Sequence, residues 1–185
     1  MRINYKGNYS QLITAVEDAN DVLNSEDFYQ LISNYGDFNC SDFSSKDIAE
    51  IIKNSPLEIE VKIYKPRWRY SKVLGYFIKS KPNNVFLNSR KIYRNTDSIT
   101  NTIIHEYVHA VDNNHNTSAI EFGHTCESLT NTAPYVIGNF AELLIDGNEV
   151  SDIPNLINNL VGLESMCLQK DTATDVFTIE EHRVK

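Results

Sequence analysis

One short run of the chain, HEYVH, holds the residues best suited to chemistry: His105, Glu106 and His109. Side chains four positions apart project from the same face of a helix, so the two imidazoles can bind one metal ion. Zinc favours nitrogen ligands, and a carboxylate beside the first histidine can take a proton from a metal-activated water. The pattern predicts a hydrolytic zinc site with His105 and His109 as ligands and Glu106 as general base.

The first candidate for a third zinc ligand is His115, ten residues after His105. The run HEYVHAVDNNH resembles the metzincin signature H-E-x-x-H-x-x-G-x-x-H. It departs from the signature where Asp112 replaces the glycine that turns the chain. A helix that continued through residue 115 would direct His115 away from the metal, so this candidate depends on a turn near Asp112.

His124 is the second candidate, and it lies in the segment EFGHTCESLTNTAPYVIGN, residues 121–139. The order of H-E-x-x-H, FGH and APYVIG resembles small bacterial and phage-encoded zinc metallopeptidases with an APY-x-IG or VPY-x-IG segment. The resemblance covers about residues 73–140. It implies a zincin-like fold, Zn²⁺ as cofactor and peptidase activity, but no particular substrate. It favours His124 slightly over His115.

Glu142 is the third candidate, because in gluzincin-type sites a glutamate comes from a separate downstream helix. Asp146 follows one turn later and could orient a ligand. Glu121 and Glu127 are weaker candidates for the same role of a glutamate ligand. These alternatives stay open at the level of the sequence.

Tyr135 is a second catalytic candidate, after Glu106. It follows Pro134, which can fix a turn, and its hydroxyl could stabilise a tetrahedral intermediate. The competing interpretation is a half-buried tyrosine at the start of a helix. Asp112 could hydrogen-bond to a ligand histidine and so orient it, or it could simply end its helix.

The elements that must position these residues follow from hydrophobic periodicity. Helical patterns precede a group of alternating, β-branched segments, and helical patterns then return with the histidines. This order predicts one α+β, zincin-like domain over residues 1–185, with a small, mostly antiparallel or mixed sheet and a helical C-terminal half. An edge strand near 85–88 is expected to align an extended peptide. The predicted ranges are helices at 9–24, 26–36 and 44–56 within 1–56, strands at 57–64, 72–80 and 85–93 within 57–93, and the histidine helix with helices at 134–147 and 152–166 within 97–166.

The composition of the chain argues against some classes of binding partner. A net charge of −8 with no long basic run argues against nucleic acid, and no apolar stretch approaches the length of a membrane span. The N-terminus lacks the apolar core of a secretory signal, and Cys40, Cys126 and Cys167 form no C-x-x-C pair. We therefore expect reduced thiols, a cytoplasmic location and a protein or peptide substrate.

A different class of function fits the same fold. A non-catalytic zincin-like binding protein, with a structural metal or none, would keep the helix and its histidines without turnover. Glu106 favours catalysis, because a purely structural H-x-x-x-H site has no need of it.

Overall fold

The architecture is α+β, with a small mixed sheet, as predicted. The computed structural model describes residues 2–67, 72–123 and 131–157. The predicted helix at 152–166 extends beyond these ranges. The helices are α1 (Ser10–Asn24), α2 (Glu26–Asn34), α3 (Ser45–Asn54), α4 (Thr96–His115) and α5 (Ala133–Ile145), and the strands are β1 (Ile3–Asn4), β2 (Ile59–Tyr64), β3 (Gly75–Phe77) and β4 (Asn84–Asn88).

The sheet has the strand order β1-β2-β4-β3. Strands β1 and β2 are parallel, β2 and β4 are parallel, and only β3 and β4 are antiparallel. Of the two expected kinds of sheet, the mixed one is therefore confirmed and the mostly antiparallel one is wrong, because two of these three pairings are parallel. The short strand β1 was not predicted, since two residues carry no periodic signal.

Strand β4 lies inside the sheet, so the prediction of an edge strand near 85–88 is also wrong. Its core, Val85, Phe86 and Leu87, is buried without alternation, which is typical of a strand with neighbours on both sides. The edge strand on this side is β3, which folds back along β4 with Tyr76 opposite Phe86.

Helix α4 runs through the core and is covered on almost every side. From Ile99 to Asn113 every residue is buried except Asn101, His105 and His109, which are half-exposed. Positions spaced by four residues lie in one row along a helix, so these three form a single polar stripe. Among the described residues, neither α4 nor any other helix is long and apolar enough to cross a membrane.

Helices α4 and α5 approach each other closely at Gly138. A Cβ at this position would lie 2.5 Å from Oδ1 of Asn101 and 3.1 Å from its carbonyl oxygen. Only glycine allows this distance without a shift of one helix. The close approach brings the start of α5 beside the polar stripe of α4.

The expectation of reduced thiols is wrong at Cys40. Cys40, in the connection between α2 and α3, is disulfide-bonded. Its φ of 62° is in the left-handed region that residues other than glycine seldom adopt. Cys126 and Cys167 lie outside the described residues.

Candidate metal centre

His105 and His109 lie side by side on the half-exposed stripe of α4. Their ring centroids are 5.1 Å apart, and the rings are inclined by 66°. Between Ile99 and Asn113 the stripe is the one part of this helix that is open to a ligand, because the other positions there are buried. Two adjacent imidazoles on an accessible row fit the nitrogen-donor preference of zinc.

Glu106 lies beside the histidine pair but is directed into the protein. Its side chain is only 7% exposed, and its carboxylate accepts a hydrogen bond from the backbone N–H of Phe77 in β3. Burial raises the pKa of Glu106 to about 8, and the hydrogen bond from Phe77 opposes this shift. A pKa near neutrality suits a group that must both accept and release a proton.

The raised pKa predicts a pH-dependent stability of the metal-free protein. The ordinary pKa of 4.5 rises to about 8 in the folded chain, so the folded state keeps a proton that the unfolded state has lost between these values. The free energy of unfolding should therefore fall as the pH rises from 4.5 to about 8. Thermal denaturation in chelator should show this slope in the wild type and a smaller slope in Glu106→Gln. Equal slopes in both proteins would contradict the assignment.

Tyr135 contacts the histidine pair from α5. Its ring centroid lies 4.6 Å from that of His105, with the rings nearly perpendicular, and its side chain is 39% exposed. Pro134 occupies the first turn of α5, where its fixed φ favours helix initiation. The phenol therefore stands at the edge of the stripe, in reach of a ligand bound there.

Around the stripe, α4 contacts β3 through some of its residues and α5 through others. On one side of it, Glu106 and Thr102 contact β3, because a Cβ at Gly75 would lie 2.9 Å from Cγ2 of Thr102. On the other side, His105 and Asn101 contact α5 through Tyr135 and Gly138.

The geometry does not bring His115 to the histidine pair. Helix α4 continues through His115, with no turn at Asp112. Ten residues of helix place His115 about 15 Å along the axis from His105 and about 80° around it. Its Nδ1 instead contacts Oε2 of Glu121 at 2.5 Å, and its ring packs edge-on against Phe43.

The two candidate glutamates within the described residues, Glu142 and Glu121, have other partners. Glu142 accepts a hydrogen bond from Nδ2 of Asn101 at 2.5 Å, one turn before His105. Glu121 is held by His115 and by Asn116. Within residues 2–67, 72–123 and 131–157, no three His, Cys, Asp or Glu side chains form a group that could hold a metal. His124 and Glu127 lie outside these residues.

Two contributors to this region were missed at the level of the sequence. Phe77 acts through its backbone, which no side-chain pattern reveals. Gly123, directly before His124, packs against His109: a Cβ there would lie 3.3 Å from Nδ1 of His109 and 3.1 Å from Oδ2 of Asp112. A glycine next to a candidate ligand was the available signal for close approach of the backbone.

Comparison with known proteins adds no relative. No protein-family model, no curated protein and no solved structure matches this chain.

Proposed function

We propose that this protein is a zinc-dependent peptidase of the zincin type. The observation that carries the proposal is the row of half-exposed side chains on an otherwise buried helix. This row contains both histidines of an H-E-x-x-H motif, and the glutamate of that motif lies buried beside them. A solvent-facing amphipathic helix would instead expose a wide polar face.

His105, His109 and His124 are the proposed zinc ligands. Support for His124 comes from its place in the sequence, directly after Gly123. Gly123 itself packs against His109. Glu142 is the alternative ligand, because it lies one turn from His105, although it is already bound to Asn101. Comparing the zinc content of His124→Ala and Glu142→Gln separates the two.

Zinc in this position would lower the pKa of a water molecule and polarise the scissile carbonyl. Glu106 accepts the proton of the attacking water and returns it to the leaving amine. The ring of Tyr135 is adjacent to His105, and its hydroxyl donates a hydrogen bond to the negative charge that develops on the carbonyl oxygen. We expect Tyr135→Phe to lower kcat about 100- to 1000-fold without changing zinc affinity; an unchanged kcat would remove this role.

The proposed substrate is a protein or peptide in extended conformation. Strand β3 is the sheet edge beside Glu106. Apart from the N–H of Phe77, which is bound to Glu106, the outward backbone groups of such an edge strand can pair with a peptide. Binding along β3 would carry the substrate past the histidine pair. The same edge could serve a binding protein without turnover, which is the competing proposal.

Cleavage of a quenched fluorescent peptide library distinguishes these proposals. We expect cleavage by the zinc-loaded protein, loss of cleavage after chelation and recovery when zinc is returned. Zinc binding without cleavage of any peptide in the library would favour the binding protein. Absence of both would contradict a zinc site altogether.

A further inference from the structure

The carboxylate of Asp112 binds a turn of backbone that lies nine to eleven residues later in the chain. Its Oδ1 accepts hydrogen bonds from the N–H groups of Glu121 at 2.9 Å and Phe122 at 3.4 Å. The N–H of Gly123 also hydrogen-bonds to this carboxylate and helps to lower its pKa, against the larger opposing effect of burial. Three successive N–H groups thus converge on one buried acceptor, which is the way that backbone segments commonly bind an anion.

This turn of backbone borders the candidate metal centre. The position of a Cβ on Gly123 would be 3.1 Å from Asp112, 3.3 Å from Nδ1 of His109 and 2.8 Å from Ile120. Gly123 therefore fits into a space bounded by the anchoring carboxylate and by a candidate ligand. Any displacement of residues 121–123 would change the surroundings of His109.

The outer side of the same turn is held by weaker contacts. Glu121 contacts His115, whose side chain is 41% exposed, and the backbone of Asp42 donates to the carbonyl of Glu121 at 3.3 Å. Exposed ion pairs usually contribute little to stability. Asp112 is only 2% exposed, so its hydrogen bonds are shielded from water. We therefore expect the hydrogen bonds to the buried carboxylate of Asp112 to stabilise the position of residues 121–123 more than the contacts of Glu121 do.

We propose that Asp112 is a positioning residue, which fixes residues 121–123 against His109 and so preorganises the metal centre. The proposal rests on the zinc site proposed above. It gives Asp112 a role different from that of the signature glycine whose place it takes: the helix does not turn there, and the side chain instead binds the returning chain.

Zinc affinity of the full chain, measured by competition with a chromophoric chelator, tests this role. We expect Asp112→Ala to weaken zinc binding about 10- to 100-fold, as is usual when a group that supports a ligand is removed. Asp112→Asn should retain most of the affinity, because its amide oxygen can accept the same bonds. His115→Ala is the control, because it removes the exposed contact to Glu121. Its zinc affinity should stay within about threefold of that of the wild type.

Wild-type affinity in Asp112→Ala, or equal losses in Asp112→Ala and His115→Ala, would overturn the proposal. An equal loss in Asp112→Asn would also overturn it. Should Asp112→Ala fail to fold, Gly123→Ala replaces it, because the added Cβ displaces the turn while Asp112 stays intact. Zinc binding by Gly123→Ala at wild-type affinity would then count against the proposal.

Hydrogen exchange of the metal-free protein separates this inference from the proposed function. The amides of Glu121, Phe122 and Gly123 should exchange faster in Asp112→Ala than in the wild type. This readout needs no zinc. Unchanged exchange would overturn the anchoring role, whereas faster exchange in a protein that binds no zinc would leave the anchor intact and remove the peptidase.

Discussion

Glu106→Gln should lose peptide cleavage and keep its zinc. The amide has nearly the shape of the carboxylate but cannot accept a proton from water. General bases typically contribute 10²- to 10⁴-fold to rate, so we expect kcat to fall in that range. Zinc content should stay at the wild-type value, because Glu106 is turned toward β3 and is not a proposed ligand. The measurement is kcat with a cleaved library peptide, with the zinc content of the same sample.

The matched control for this substitution is Glu50→Gln, which makes the same chemical change at an exposed position of α3. It should cleave at the wild-type rate. Cleavage by Glu106→Gln at the same rate as Glu50→Gln would show that Glu106 is not the base. Loss of zinc together with cleavage would leave the base unassigned and indicate a structural role instead.

Alanine at His109 is expected to have the second large effect. Removing one imidazole from a three-ligand site takes away a bond that the remaining side chains cannot replace. We expect zinc affinity to fall more than 100-fold and cleavage to disappear with it. Circular dichroism should show an intact fold, because His109 is half-exposed on a helix whose buried faces stay unchanged.

His115→Ala is the control for that experiment, because it removes a histidine from the same helix. His115 contacts Glu121 and Phe43 rather than the histidine pair. The zinc affinity of the His115→Ala variant should therefore stay within about threefold of that of the wild type. A loss at His115 equal to the loss at His109 would contradict the arrangement described here.

The local features of this fold could be predicted from sequence because they depend on neighbouring residues. Helix α3 begins directly after Ser44, the first residue of its predicted range, and Ser44 forms a capping box with Asp47. The apolar positions of α4, such as Ile103 and Val108, are buried as their periodicity indicates. The pairing of the motif histidines follows from the same periodicity.

The order of the strands could not be predicted in this way. Whether β3 or β4 lies at the edge depends on pairing between distant segments. The unbroken apolar run Val85-Phe86-Leu87 was the available sign of an interior strand, because edge strands more often alternate.

The surroundings of the candidate site depend on contacts that the sequence does not encode locally. Whether His115 could reach the metal depended on whether α4 ends near Asp112. The helix continues past that residue, and the side chain of Asp112 binds the backbone of residues nine to eleven positions later. The buried state of Glu106 likewise depends on β3, which is brought to α4 by the fold as a whole.

The most direct test of the account is a zinc titration of ¹⁵N-labelled wild-type protein, followed through the imidazole nitrogen resonances. We predict that the signals of His105 and His109 shift together and reach their end point at one equivalent of zinc, while the signal of His115 stays in place. A titration in which neither His105 nor His109 responds, or in which His115 responds in their place, would contradict the central claim that these two imidazoles jointly hold the metal.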